Sequence, residues 1–263
     1  MIEFEIQPDF PEGCALIYGG SGGLGQSAAR LFAACGSAVV VTYRSNQSEA
    51  DKTVKHALRP AQLLVGKALA VQADLTRPET IKAACDAAVA KFGRVHSVVA
   101  AGGLAFGTPT LAETPPSDFR NVIETDVIGF FNIAQATLPA VRAGGGGSYT
   151  ALITTAVHRT YPGDTLSGPP KAAMNALVKQ IVLEEAKHNI RANSVGPGVI
   201  FAGMVLPMLE TDARALLDYA VDITPLKRAG TDLEIAEAVV FLASRRASYI
   251  TGQALMVDGG LGY

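Results

Sequence analysis

Between residues 14 and 35 the chain reads Cys-Ala-Leu-Ile-Tyr, then Gly-Gly-Ser-Gly-Gly-Leu-Gly over 19–25, then Gln-Ser-Ala-Ala-Arg-Leu-Phe-Ala-Ala-Cys. The apolar run predicts a strand, the glycines a tight turn. Leu24, Ala28, Leu31, Phe32 and Cys35 recur at helical spacing. A turn with almost no side chains at a helix N-terminus presents bare amides and the positive end of a dipole, which suits a pyrophosphate. A plain strand-to-helix turn would look similar. Strand, loop, helix and a second strand occur together here, and that combination favours a nucleotide site.

Strand-like runs recur at 14–18, 38–43, 68–72, 95–101, 149–154, 191–195 and 253–257. Helical patterns separate them, clearest at 23–35, 78–92, 117–142, 170–188 and 231–244. Alternating strands and helices need crossover connections, hence a mainly parallel sheet covered on both faces. The fold class expected is α/β, a single doubly wound Rossmann-type domain over residues 1–263. Gly144–Gly147 reads as a turn rather than a domain boundary. The segment 196–230, with Pro197, Pro207 and Pro225, breaks the alternation and reads as a substrate-binding loop or lid.

Net charge is −2 and the basic residues are scattered, which argues against nucleic acid as a partner. Cys14, Cys35 and Cys85 form no CxxC pair and read as small core residues of a reducing compartment, with no metal site. No apolar run is long enough to span a bilayer and no signal peptide is evident, so a cytoplasmic protein without a membrane partner is expected.

The spacing Gly19-x-x-x-Gly23-x-Gly25 resembles that of the short-chain dehydrogenase/reductase family. Asp74-Leu75 stands where that family contacts adenine, after the third strand. Asn189-Ile-Arg-Ala-Asn-Ser-Val-Gly-Pro-Gly198 is similar to its segment after the sixth strand, which would bring Pro197, Gly198 and Ile200 to the nicotinamide. Tyr249 to Gly260 resembles its last strand and C-terminal signature. The likeness covers residues 12–260 and implies a seven-stranded sheet, a nicotinamide cofactor, a small-molecule substrate and a homotetramer or dimer. It also implies cofactor contacts from Gly19, Ser21, Gly22, Leu24, Gly25 and Gly102.

A carboxylate just after the second strand would select NAD by accepting bonds from both ribose hydroxyls. None occurs before Glu49; Arg44 and Ser45 stand there instead. A guanidinium fork and a hydroxyl suit a 2′-phosphate, so NADP(H) is expected, unless Arg44 is only a solvated loop charge.

The family's catalytic set is an Asn, a Ser and a Tyr-x-x-x-Lys. Lys171 matches the lysine, but four residues earlier stands Ser167, whose aliphatic hydroxyl is a poor acid. Pro169 and Pro170 lie between them, so the helix is expected to begin at one of these prolines, with Ser167 outside it or merely capping it. The family serine is matched by Thr155, or by Thr154 if the loop is one residue longer, and the asparagine by Asp126. Ala100-Ala-Gly-Gly103 replaces the Asn-Asn-Ala-Gly of the fourth strand. Tyr161 and His158 are candidate substitutes for the missing phenol.

Two functions compete. One is an NADPH-dependent reductase of an activated carbonyl or conjugated C=C, as in the family branch that reduces dienoyl-CoA thioesters, which also lacks the tyrosine. The other is an NADP(H)-binding protein with lyase, isomerase or cyclase activity, or none. Leu104, Phe106, Val205, Leu206, Met208 and Leu209 hint at an apolar pocket, and core packing or a subunit interface explains them equally.

Overall fold

A computed structural model of the protein describes residues 8–57, 67–104, 107–211 and 213–263. Seven strands form one all-parallel sheet: β1 (Cys14–Tyr18), β2 (Ala38–Tyr43), β3 (Ala68–Gln72), β4 (Val95–Ala100), β5 (Gly147–Leu152), β6 (Ile190–Pro197) and β7 (Ala254–Val257). Their spatial order is β3-β2-β1-β4-β5-β6-β7. The interiors of β1, β2 and β4 are wholly buried, which explains why they read as continuous rather than alternating apolar runs.

Each face of the sheet carries its own core. On one face Phe32 of α1 (Gly23–Ala34) and Ile235 and Val239 of α8 (Asp232–Ala243) pack on Ile17, Val41 and Val195. On the other, Ile81 of α3 (Pro78–Phe92), Ile133 of α5 (Gly129–Ala143) and Met174 of α6 (Gly168–Glu185) pack on Leu16, Val98 and Tyr149. Cys14 and Cys85 lie in this second core, and burial pushes their thiols up to about 12 and about 11. All three cysteines are free.

Three expectations change. The helix expected over 117–142 begins as α4 (Pro116–Val122), passes through one π-helical stretch (Ile123–Ile128) and continues as α5. Helix α2 (Gln47–Ala57) has no counterpart in the periodicity reading; its polar sequence buries only Ala50 and Thr53 completely. The segment 196–230 is not irregular throughout. It holds two 3-10 turns, Gly203–Val205 and Pro207–Glu210, and the amphipathic α7 (Ala213–Ile223). Phe106 and the side chain of Met208 lie outside the described residues.

Candidate active site

The sheet order reverses between β1 and β4, and at that switch point the loops leaving the two strands meet. Gly19 takes φ +83, and a Cβ there would lie 2.5 Å from the amide nitrogen of Gly102. Its N–H donates to Thr42 Oγ1 at 3.2 Å. The Gln26 N–H reaches the Gly22 carbonyl at 2.7 Å to close the first helical turn, so the amides of Gly23, Leu24 and Gly25 precede the first helical bond. Gly19, Ser21, Gly22, Leu24, Gly25 and Gly102 thus share one loop cluster at the positive end of α1. Leu75 covers it: a Cβ on Gly102 would lie 2.7 Å from Leu75 Cδ1, and Asn132 Nδ2 donates to the Leu75 carbonyl at 3.0 Å. Asn132 was not singled out from sequence, because a buried amide holding a distant carbonyl leaves no local pattern.

Arg44 and Ser45 are exposed where β2 ends. Arg44 is close enough to act on Asp74. Against the burial that would raise it, the Thr76 amide and hydroxyl, with Arg44 and Arg77, hold the Asp74 carboxyl below the ordinary range.

Deeper in the cleft, Lys171 Nζ lies 3.0 Å from Asp126 Oδ2. Asp126 stands on the π-helical stretch and its side chain is 1% exposed. The extra residue per turn re-aims a side chain that regular α-geometry would place elsewhere, a common device at functional sites. Among the described residues Asp126 Oδ1 is buried with no hydrogen-bond partner. A Cβ on Gly103 would sit 3.5 Å from that oxygen and 3.9 Å from Lys171 Nζ, so both charged atoms face the glycine backbone at the end of β4. An unpartnered buried acceptor, a lysine and a side-chain-free wall are groups that would fit the sugar end of a nucleotide, were its phosphates to meet the Gly19 loop.

At the end of the loop from β5 to α6 Ser167 holds the cap position, one of the two readings expected, and the helix starts at Gly168, one residue before Pro169 and not at a proline. Pro169 and Pro170 occupy first-turn positions whose N–H groups would be unbonded anyway, and Gly168 has no Cβ to clash with the ring after it. Lys171 N–H then donates to the Ser167 carbonyl at 3.1 Å. The four-residue helical relation between Ser167 and Lys171 is therefore present. The Ser167 hydroxyl makes no capping bond; it interacts instead with the Asp164 carboxylate.

The Thr155 hydroxyl is buried and donates to Asp258 Oδ2 at 2.5 Å, which commits it to the C-terminal segment. Thr154 is half-buried and caps the following 3-10 turn, its Oγ1 accepting from the Ala156 N–H at 3.3 Å. The Tyr161 phenol donates to the Leu261 carbonyl at 2.6 Å and lies under the Arg159 guanidinium, so its proton is directed at the C-terminus rather than at the Asp126–Lys171 pair. His158 is exposed.

Pro197 and Ile200 are buried at the end of β6, and the Gly198 N–H donates to the Val257 carbonyl at 3.1 Å. The segment that follows crosses the nucleotide loop: a Cβ on Gly23 would lie 2.6 Å from Gly203 Cα. A cavity of about 680 Å³ lies apart from that crossing, beside β7 and the C-terminal segment, with Ile200, Thr224, Asp258 and Tyr263 among its walls and none of the Gly19 loop, Asp126 or Lys171.

A family model described as "Enoyl-(Acyl carrier protein) reductase" matches residues 19–262. The 7alpha-hydroxysteroid dehydrogenase of Escherichia coli (strain K12) is 32% identical over 248 residues, 94% of this chain and 93% of that protein. The peroxisomal 2,4-dienoyl-CoA reductase [(3E)-enoyl-CoA-producing] of Pongo abelii is 32% identical over 250 residues, 94% and 82% of the two chains. A solved 7 alpha-hydroxysteroid dehydrogenase complexed with NADH and 7-oxo glycochenodeoxycholic acid superposes with a TM-score of 0.82 at 32% identity, covering 94% of this chain and 93% of that one.

Proposed function

The chain belongs to the short-chain dehydrogenase/reductase family and is an enzyme, an oxidoreductase, and on that premise we propose that it uses NADPH to reduce a small activated carbonyl or conjugated C=C substrate through a site without the usual tyrosine. The observation that carries this reading is the Asp126–Lys171 pair at 3.0 Å, facing the bare backbone of Gly103 with Asp126 Oδ1 unpartnered. A bound nicotinamide would supply the hydride. The chain's own residues bind and orient: the Gly19–Gly25 amides take the pyrophosphate, Asp74 and Leu75 border the adenine, Lys171 holds the ribose, and Pro197, Gly198 and Ile200 back the nicotinamide. Asp126 fixes Lys171 and offers its free oxygen to a donor on cofactor or substrate. Thr154, with Thr155 behind it, orients the substrate oxygen.

The choice of NADPH rests on Arg44 and Ser45 at the β2 terminus, with no carboxylate before Glu49. Residues 196–230 act as the lid, since Gly203 already touches the nucleotide loop at Gly23. Phe131, Leu183 and Leu255 are exposed on helices and an edge strand, which supports assembly into a homo-oligomer. No helix among the described residues is long and apolar enough to cross a membrane; a cytoplasmic location and freedom from nucleic acid belong to the same proposal.

The test is stoichiometric NADPH oxidation with acetoacetyl-CoA, cyclohexenone and sorbyl-CoA, alongside equilibrium binding of NADPH and NADH. Oxidation by any of the three with NADPH bound more tightly supports the reading. Tight NADPH binding with no oxidation supports the second reading, a non-redox or silent NADP(H)-binding protein. The commitment of the Tyr161 phenol to Leu261 favours that alternative, because it removes one of the two substitutes that the sequence offered for the missing phenol.

A further inference from the structure

If the site reduces its substrate, a proton must come from somewhere other than a phenol. Asp164 lies in the loop before α6, and its carbonyl accepts the N–H groups of Ser167 at 3.1 Å and Gly168 at 3.0 Å, which folds its carboxylate back against the start of the helix. A Cβ on Gly168 would lie 3.6 Å from Asp164 Oδ2, and the Ser167 hydroxyl interacts with that carboxylate. Ser167 in turn sits one helical turn before Lys171, its carbonyl bonded to the Lys171 N–H. The loop is fixed from the other side by Gly163, where a Cβ would lie 2.7 Å from the Thr108 carbonyl.

We propose that Asp164 and Ser167 together replace the missing phenol as a proton relay, Asp164 as the acid and Ser167 as the hydroxyl that meets the substrate. The inference rests on the reductase reading. Ser167 gives its proton to the substrate atom that gains electron density when hydride from the reduced nicotinamide reaches the neighbouring carbon. It takes a proton from the Asp164 carboxyl, leaving a carboxylate that water reprotonates. The sum is one hydride and one proton added to the substrate, with the nicotinamide oxidised.

The surroundings suit an acid. Burial pushes the Asp164 carboxyl up to about 6, against the Ser167 hydrogen bond that lowers it. Of the groups packed around it, the 155–157 turn presents Ala156, α6 presents Ser167 and Gly168, and the 107–109 segment reaches the loop through Thr108. Tyr161 is the titratable neighbour, its own acidity weakened by burial and, among smaller effects, by Asp164. No cation is paired with Asp164 among the described ion pairs.

Two measurements test this. The first needs no turnover: the carboxyl carbons of aspartate, labelled with a magnetic isotope, are followed by NMR against pH in the unliganded protein, with D164N assigning the signal. A midpoint near 6 that rises in S167A supports the relay, since removing a bond to the charged form must raise it. An ordinary aspartate midpoint, or one that S167A leaves in place, overturns it. The second follows NADPH oxidation by the most active of the three compounds above. Reduction should decline as pH rises through the Asp164 midpoint. D164N should lower kcat about a hundredfold and remove that limb, D164E should restore part of both, and melting curves check folding. A D164N protein with normal kcat and an intact pH limb overturns the relay alone, whereas a wild-type protein that binds NADPH and never oxidises it overturns the reductase reading with it.

Discussion

Lys171 Nζ and Asp126 Oδ2 stand 3.0 Å apart, the lysine side chain 13% exposed and the aspartate 1%. The two reach this contact from different helices, α6 and the π-helical stretch before α5. Truncating one partner would leave a charge in a place that solvates it poorly. K171M should therefore destabilise the fold by about 3 kcal/mol, read from urea unfolding, while the double variant D126N/K171M recovers most of that loss. Additive losses in the double-mutant cycle would show that the two side chains are not energetically coupled.

Arg44 is exposed, so its attraction for a 2′-phosphate is screened and modest in size. R44A should weaken NADPH binding about tenfold, near 1.4 kcal/mol, and leave NADH binding unchanged. Fluorescence titration with the two nucleotides measures both. An equal loss for both would assign Arg44 to the shared part of the cofactor.

The fold was legible because its signals are local. The strand–glycine–helix unit at 14–35 and the alternation of buried strands with helices are set by residues next to one another, and the structure reproduces them to within a few residues. The site was legible only where one side chain does one job. Lys171 and Asp126 were named and do meet, but that the contact depends on a π-helical stretch is invisible to a count of apolar positions. The start of α6 was read one residue late, at a proline rather than at Gly168, because a proline disfavours helical geometry in the residue before it and glycine is the residue that tolerates this best; Ser167 as the cap position was readable. The bond from the Thr155 hydroxyl to Asp258 left no local pattern, because its partner lies 103 residues away. Asp164 left no signal at all; its surroundings, not its spacing, set it apart.

His96 gives the pH dependence of stability a sign. It is buried on β4, the central strand of the sheet, its Nε2 3.0 Å from Ser37 Oγ and its Nδ1 2.9 Å from Ser97 Oγ, and burial, with Arg94, lowers it to about 3. In the unfolded chain it takes a proton near its ordinary 6.5, so below that pH the unfolded state binds a proton that the folded state refuses. Its contribution is complete above 6.5 and declines as pH falls towards about 3, at up to about 1.4 kcal/mol per pH unit. H96Q should flatten that part of the stability profile relative to wild type. Parallel profiles for the two proteins between those limits would refute the assignment.

Glu185 and Arg142 test whether the helices carrying the site are held by one interaction. Arg142 Nε donates to Glu185 Oε2 at 2.6 Å and its Nη2 donates to Oε1, joining the ends of α5 and α6. The Glu185 side chain is 3% exposed and that of Arg142 is 43% exposed, so only the acid is strongly desolvated. E185Q keeps the shape and removes the charge, and should cost about 1–2 kcal/mol because the half-exposed guanidinium can turn to water. R142M should cost more, since it leaves the buried carboxylate alone. The bond to Arg142 holds the Glu185 carboxyl below its usual range, so this stabilisation is present at neutral pH and disappears as acid protonates it. Urea unfolding at neutral and acid pH gives the order directly: R142M less stable than E185Q at neutral pH, with the two converging as the pH falls.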